Sequence, residues 1–413
     1  MAFRLVLAPQ VWIQQLPHLA TVGGVGVARV NRNALRSGTE LIARSLDCLP
    51  AAPTTRDFGS LDQLLLVELA ESVEGQDAQR MLLRFGPRPG QLVAALRLGR
   101  GPAAGGWLGS VHEYGRYFRL DEIQLVGPGM RRATLEAADP ESPSDERWSR
   151  TRGALGDDVW QKVRRSRVAV IGASRNGSIA AFTFAMLGVR SLVLMDPDRE
   201  EGHGLDATLG AEPEGIGRPK VVNRREALLR IRPDDLEVQP LALPFPHPDG
   251  DELLRAADLI CTCVDRDAAR LAAAQLASRW CKVHLDIGTG VFGTGTSRSL
   301  GADVRLLLPG QACVVCLGGL RNLDEAQYDV AAPPGALRRG PRPQWSEQRA
   351  GSLVTINAMA CNLGIQMYLD LLAGRVTESR WCRIEFTADG RAMITDSKRP
   401  SESCSICRRK SEV

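Results

Sequence analysis

No stretch of the 413 residues approaches the ~18–20 consecutive apolar residues that a helix needs to cross a bilayer. The N-terminal segment MAFRLVLAPQVWIQQL lacks a long apolar run followed by a small-residue cleavage site, so it reads as unprocessed and the chain as cytoplasmic. Charge of one sign is missing too. Lys+Arg total 52 against 48 Asp+Glu, and a net +4 is too balanced to imply nucleic acid or an anionic membrane as a partner. Lysine itself is scarce, five residues in all, a usage associated with GC-rich bacterial genomes rather than with any physical demand. Ten cysteines are too sparse for a disulfide scaffold, and no internal repeat or low-complexity tract is present. What remains, 44% apolar and 24% charged residues, is the composition of a globular chain with two or three domains.

Four of the ten cysteines form matched pairs, Cys313-Val-Val-Cys316 and Cys404-Ser-Ile-Cys407. Each CxxC turn brings two thiolates to one side of a cation, and two such turns supply the tetrahedral all-sulfur shell that Zn²⁺ accepts. A redox CxxC and coincidence are the competing readings; two pairs together favour zinc. Four thiolates leave no open coordination position, so the site reads as structural, stapling a distant C-terminal segment to the body of the fold. Cys48, Cys261, Cys263, Cys281, Cys361 and Cys382 default to small buried apolar residues.

Composition divides the chain in three. Residues 1–139 mix short apolar runs with Gly/Pro breaks and read as a small α+β domain, and a polar stretch over 140–147 reads as a linker. Residues 148–413 alternate short β-rich runs with helical segments, the pattern of an α/β, Rossmann-like domain with a mostly parallel sheet. The runs are VAVIG (168–172), SLVLMD (191–196), LEVQPL (236–241), DLICTCVD (258–265) and KVHLDIG (282–288). A Pro/Arg/Gly-rich loop over 321–350 precedes a helix, SLVTINAMACNLGIQMYLDLL, then a strand and the last CxxC.

The first of those strands runs into Ala173-Ser174-Arg175-Asn176-Gly177-Ser178 and then a helix. Gly172 permits the tight turn, Gly177 lets the helix pack closely, and the helix N-terminus offers N–H groups to a phosphate. Asp196 ends the next strand, where an acid holds a ribose hydroxyl. Ser174 replaces the middle glycine of GxGxxG, which counts against a plain NAD enzyme. The remaining alternative at this turn is a βα connection with no ligand.

The stretches Arg147-Trp148-Ser149-Arg150, Trp160-Gln161-Lys162-Val163 and RVAVIGASRNGS resemble the opening of the ThiF/MoeB family of ubiquitin-activating-type adenylating enzymes. LMDPD (194–198), GIGRPK ending at Lys220, VDRDAAR with Asp265 and Arg270, and the two CxxC pairs continue the match in order, over about residues 146–410. The resemblance implies binding of ATP and Mg²⁺ and of the C-terminal tail of a ubiquitin-like protein, whose carboxylate attacks the α-phosphorus. It implies that Gly172, Ser174, Gly177, Asp196, Asp198 and Lys220 hold the nucleotide and that Asp265 holds Mg²⁺. Arg147 or Arg150 is similar to the family's arginine finger, which reaches across from a partner subunit and implies a homodimer or a related dimer. Surface arginines closing the linker are the plainer alternative. A conjugating enzyme as partner and, in bacteria, antiviral defence complete what the resemblance suggests.

The chain departs from the family in three places. Where an Asn-Leu-x-Arg segment is usual it has Gly204-Leu205-Asp206-Ala207, so two phosphate contacts are lost. Arg175, inserted in the glycine turn, restores a positive charge there, or else the nucleotide site is weakened or inactive. No cysteine occurs from Leu317 to Ala350, where a thioester-forming thiol is usual; Cys361 reads as core, and Ser346 as a weak alternative acceptor with no base beside it. In the first domain, GGWLGSVHEYGRYFRLDEIQLVGPGM resembles the closing strands of the MPN/JAB isopeptidase fold, but His18 and His112 are its only histidines and no His-x-His exists. That domain therefore reads as inactive, with a docking or purely structural use. The rival functions are a sulfur-carrier or peptide adenylating enzyme, and a non-catalytic scaffold of the same fold.

Overall fold

The computed structural model describes residues 2–35, 37–49, 63–71, 73, 76–99, 106–134, 146–292, 299–331, 352–387, 392–396, 404, 406 and 407. The chain separates into two compact units, Met1–Pro143 and Ser144–Val413. Most of the linker, residues 140–145, lies outside the described residues.

The first unit is α+β. Strands β1 (Phe3–Leu7), β2 (Val25–Leu35), β3 (Gly38–Ala43), β4 (Asp47–Leu49), β5 (Gln63–Ala70), β6 (Leu92–Gly99), β7 (Trp107–Glu113), β8 (Arg116–Arg119), β9 (Glu122–Leu125) and β10 (Arg131–Thr134) form one sheet. Its order is β10-β9-β1-β3-β2-β5-β6-β7-β8, with β4 paired to β2. Helix α1 (Leu16–Val22) joins β1 to β2, and α2 (Asp77–Phe85) follows β5. The α2 face Ala78, Met81, Leu82 and Phe85 repeats at three- and four-residue spacing and packs on Val25, Val27, Leu64, Leu66 and Val93. Tyr114 and Gly115, both at positive φ, make the two-residue turn between β7 and β8.

The second unit is doubly wound. Helices α3 (Ser149–Leu155) and α4 (Asp157–Arg165) precede β11 (Arg167–Ile171), α5 (Arg175–Leu187), β12 (Ser191–Met195), α6 (Lys220–Ile231), β13 (Glu237–Leu241), α7 (Pro248–Ala256), β14 (Leu259–Thr262), α8 (Asp267–Arg279), β15 (Val283–Phe292) and β16 (Ser299–Leu307). Then come α9 (Leu323–Ala331), α10 (Val354–Leu372), β17 (Arg380–Phe386) and β18 (Ala392–Asp396). The sheet order is β13-β12-β11-β14-β15-β16-β17-β18. The first five strands pair in parallel and the last three are added antiparallel.

Strand β11 lies between β12 and β14, so the strand order reverses there and a crevice opens beyond its C-terminal end. Val168, Ala169, Val170 and Ile171 are all buried, as a central parallel strand covered on both faces requires. One face packs through Ala169, Ile171, Val193 and Ile260 onto Leu254, Ala273 and Leu276 of α7 and α8. On the other, α10 sits so low that a Cβ at Gly364 would come within 3.0 Å of Leu285 and Val304. None of the described helices is long and apolar enough to cross a membrane.

The stretch 321–350, expected to be irregular throughout, contains α9 at its start. The Asn322 side chain accepts a hydrogen bond from the Glu325 N–H at 3.1 Å, and Asp324 and Glu325 fall in the positive first turn. The Pro- and Gly-rich part begins only after this helix, and residues 332–350, Ser346 among them, lie outside the described residues.

Candidate functional site

The turn after β11 is fixed by two glycines with no room for a side chain. Gly172 has φ +92°, and a Cβ there would lie 2.6 Å from the Cys263 carbonyl oxygen on the neighbouring strand's exit. A Cβ at Gly177 would lie 1.6 Å from the Gly172 carbonyl oxygen. Helix α5 therefore starts directly over the switch point, its free N–H groups at the crevice.

Asp196 braces this turn. Its Oδ2 accepts the Ala173 N–H at 2.7 Å and its Oδ1 the Asp198 N–H at 2.8 Å. Burial pushes its carboxyl above the usual range, against the opposing pull of Lys220 and the two N–H groups. Lys220, the first residue of α6, donates from Nζ to Ser174 Oγ at 2.8 Å and to Asp198 Oδ2 at 3.2 Å. Gly172, Ser174, Gly177, Asp196, Asp198 and Lys220, from three separate stretches of sequence, thus meet at one point. A half-buried lysine held over a helix N-terminus is a site for an anion.

Asp265 stands in the turn between β14 and α8, on the other side of the same crevice, and is exposed. Its backbone carbonyl accepts from Arg321 Nη2 at 2.9 Å. An exposed carboxylate at the C-terminal edge of a parallel sheet is a hard oxygen donor of the kind Mg²⁺ takes.

Arg175 is turned elsewhere. Its Nη2 donates to Asp206 Oδ1 at 2.7 Å and to the His203 carbonyl at 3.1 Å, and its Nη1 to the Ser352 carbonyl at 2.9 Å. It ties the loop that carries Gly204-Leu205-Asp206-Ala207 to the start of α10. That loop also rests on a buried ion pair, Glu200 with Arg224, which sequence reasoning missed. Burial pushes Arg224 down to about 10, so it stays charged at neutral pH. A Cβ at Gly204 would sit 3.0 Å from Glu200 Oε1, so a longer residue at 204 would press on this pair.

Arg147 and Arg150 are exposed and stand apart from the Ser174–Lys220 cluster. They flank Trp148, whose ring packs 6.0 Å from Trp160 and beside Gly188 at the far end of α5. A 13-residue helix, about 20 Å long, separates that end from the glycine turn.

A second missed group closes the crevice beside α5. Asn176 Nδ2 donates to Thr289 Oγ1 at 3.1 Å, and Thr289 and Ser352 both donate to Asn357 Oδ1, at 2.9 and 2.6 Å. Asn176 belongs to the glycine turn, whereas Thr289, Ser352 and Asn357 lie far along the chain, and only the fold brings them to it. Cys361 is fully buried beneath them, its thiol donating to the Asn176 carbonyl at 3.2 Å and pushed up by burial, which makes it a poor nucleophile.

The two CxxC pairs converge. Cys313 Sγ lies 3.5 Å from Cys404 Sγ, Cys316 Sγ 3.7 Å from Cys407 Sγ and 3.9 Å from Cys313 Sγ. All four sulfurs lie within 4.8 Å of one another. A tetrahedron with Zn–S bonds of about 2.3 Å has edges of about 3.8 Å, so the set fits Zn²⁺ and its spacing is too long for disulfides. Hydrogen bonds from Cys313 and Cys407 favour the thiolate at Cys316, and the hydrogen bond to Cys316 pushes Cys313 up in turn. A divalent cation is what lets more than one of these sulfurs ionise.

The sequence profile of the ThiF family matches residues 148–403, and the chain belongs to that family. Among curated relatives, ubiquitin-like modifier-activating enzyme 5 of Gallus gallus is 26% identical over 225 residues, 49% of this chain and 54% of that protein. Molybdopterin-synthase adenylyltransferase of Escherichia coli is 29% identical over 113 residues, 27% of this chain and 45% of that protein. This chain spans about half the length of these curated relatives. A crystal structure of E. coli MccB with ATP aligns with 65% of this chain and 76% of that one, at 17% identity and a TM-score of 0.47.

Proposed function

We propose that this chain is an ATP-dependent activating enzyme that adenylates the C-terminal carboxylate of a ubiquitin-like protein and passes it to a conjugating enzyme in a bacterial ubiquitination-like pathway, antiviral defence being one such setting. The observation that carries this reading is the meeting of Lys220, Ser174 and Asp198 over the α5 N-terminus in a chain of the ThiF family. The curated relatives named above are activating and adenylating enzymes, which supports the same reaction class here.

In this reading the α5 N-terminus and Lys220 hold the phosphates, and Asp196 or the more exposed Asp198 holds the ribose. A carboxylate oxygen of the cargo attacks the α-phosphorus, the bond to the bridging oxygen breaks and pyrophosphate leaves, so that little proton transfer is asked of the protein. Asp265 is the residue that would hold Mg²⁺, which neutralises phosphate charge when bound. Arg147 or Arg150, at the far end of α5 from the chain's own turn, would serve the crevice of a second subunit in a homodimer. Arg175, paired with Asp206, contributes by holding the 203–206 loop against the start of α10 rather than by facing the phosphates. With no cysteine between Leu317 and Ala350, the adenylate goes directly to a thiol of the conjugating partner, AMP leaving. The first unit serves as a docking domain, of inactive MPN/JAB type, and the enzyme works in the cytoplasm.

ATP–pyrophosphate exchange with the genomically neighbouring ubiquitin-like protein tests this. Cargo-dependent exchange is expected in the wild type, with Asp265→Ala lowering it about a hundredfold or more. Intact cargo binding with no exchange in the wild type points instead to a scaffold.

A further inference from the structure

Arg270 was marked by the sequence only as part of VDRDAAR, and the proposed chemistry gives it no contact with substrate. Its guanidinium nonetheless reaches three separate segments. Nε and Nη2 donate to the Val264 carbonyl at 3.2 and 3.0 Å, one residue before Asp265. Nη1 donates to Asp286 Oδ2 at 3.2 Å and to the Gly319 carbonyl at 3.4 Å. Asp286 is fully buried on β15, and its Oδ2 also accepts from Arg305 Nη1 at 3.1 Å. Arg305 in turn donates to the carbonyls of Leu317 and Gly318 at 3.0 and 3.3 Å, and its guanidinium lies 4.6 Å over the Trp381 ring. Two forked cations on one buried carboxylate therefore grip three successive carbonyls immediately after Cys316.

That loop folds back on its own CxxC turn. A Cβ at Gly319 would lie 2.1 Å from Val314 Cγ2, so the chain doubles back closely on the CxxC turn. Its exit is tied to the Asp265 turn a second time: the Arg321 and Asn322 N–H groups donate to Asp267 Oδ2 at 2.7 and 3.2 Å, and the Arg321 side chain reaches the Asp265 carbonyl. The backbone on both sides of Asp265 is thus held from the Cys313–Cys316 loop.

We propose that Arg270, Arg305 and Arg321 are positioning residues for Asp265, and that zinc at the four cysteines sets, through them, the geometry with which Asp265 meets Mg²⁺. The part played by Mg²⁺ rests on the adenylation reading; the link between the cysteine cluster and the turn does not. A fixed guanidinium fork passes on a displacement of the loop because the buried Asp286 carboxylate is held by Arg270 and Arg305 together, and moving one cation away leaves its charge short of a partner.

Two measurements on the full chain test this. The first is the free Mg²⁺ needed for half-maximal pyrophosphate exchange at saturating ATP and cargo. It is expected to rise about tenfold in Arg270→Lys and about threefold in Arg321→Ala, with the rate at saturating Mg²⁺ largely kept and zinc content unchanged. Arg321 is 81% exposed, so its variant folds even if Arg270→Lys does not. The second is hydrogen–deuterium exchange over residues 263–267 with zinc bound and after chelation, and in Cys404→Ser/Cys407→Ser. Faster exchange there without zinc is expected. An unchanged Mg²⁺ requirement in the folded arginine variants overturns the positioning role, and exchange at 263–267 that ignores zinc overturns the link. Loss of protection on chelation in a protein that shows no pyrophosphate exchange at all keeps the link and removes the adenylation reading.

Discussion

Gly177 and His284 show how single positions constrain this protein. A β-carbon at Gly177 would collide with backbone rather than with a side chain that can move away. Gly177→Ala is therefore expected to cost about 3 kcal/mol, read as a lowered urea midpoint, with nucleotide binding lost alongside. His284 is buried on β15, its Nε2 2.9 Å from Thr262 Oγ1. Burial, aided by Arg270 and Arg305 and opposed by Asp286, pushes it down from the usual 6.5 to about 4. The unfolded chain binds this proton as pH falls through 6.5, while the folded chain resists until about pH 4. Stability from this group is therefore present above 6.5 and declines by about 1.4 kcal/mol per pH unit towards 4. His284→Asn should flatten that decline relative to wild type in denaturant melts run across the same window; parallel slopes would place the titration elsewhere.

Among the elements, the cysteine cluster joins two segments far apart along the second unit's chain. Cys313 and Cys404 are 91 residues apart, and joining them through a metal constrains the unfolded chain by about 4–5 kcal/mol on the loop-entropy relation. Purified protein should carry one zinc per chain, and its removal should lower the thermal midpoint by about 10 °C and expose four thiols to a colorimetric reagent. A melt indifferent to chelation would mean that packing alone holds the tail. Helix α9 shows the limit of composition as a guide: the Pro/Gly/Arg content of the whole 321–350 stretch masks a local helix start at Asn322.

For the whole molecule, the separation into two units gives a direct test of what the first one does. Residues 144–413 contain a complete sheet, helices on both faces and all four cysteines of the candidate zinc cluster. Expressed alone, this segment should unfold cooperatively and retain zinc. If the first unit docks the cargo, the truncated protein loses cargo-dependent pyrophosphate exchange; if exchange survives, the docking role falls and a sulfur-carrier or peptide substrate gains ground.

By itself the sequence determined those parts of the protein that depend on neighbours along the chain. The β-rich runs of the second unit, the glycine turn before α5, the helix from Lys220 and the two CxxC turns all follow from residue type and spacing, because the constraint on each is local. Its ordered motifs also carried the family. Tertiary structure alone decided which distant residues share a site. It turned Arg175 onto Asp206 and Ser352, put Arg147 and Arg150 at the far end of α5, and buried Glu200 with Arg224. It also gathered Arg270, Arg305 and Asp286 beneath the Asp265 turn. A buried charge has to find its partner across the fold rather than along the chain, and no periodicity records where that partner stands.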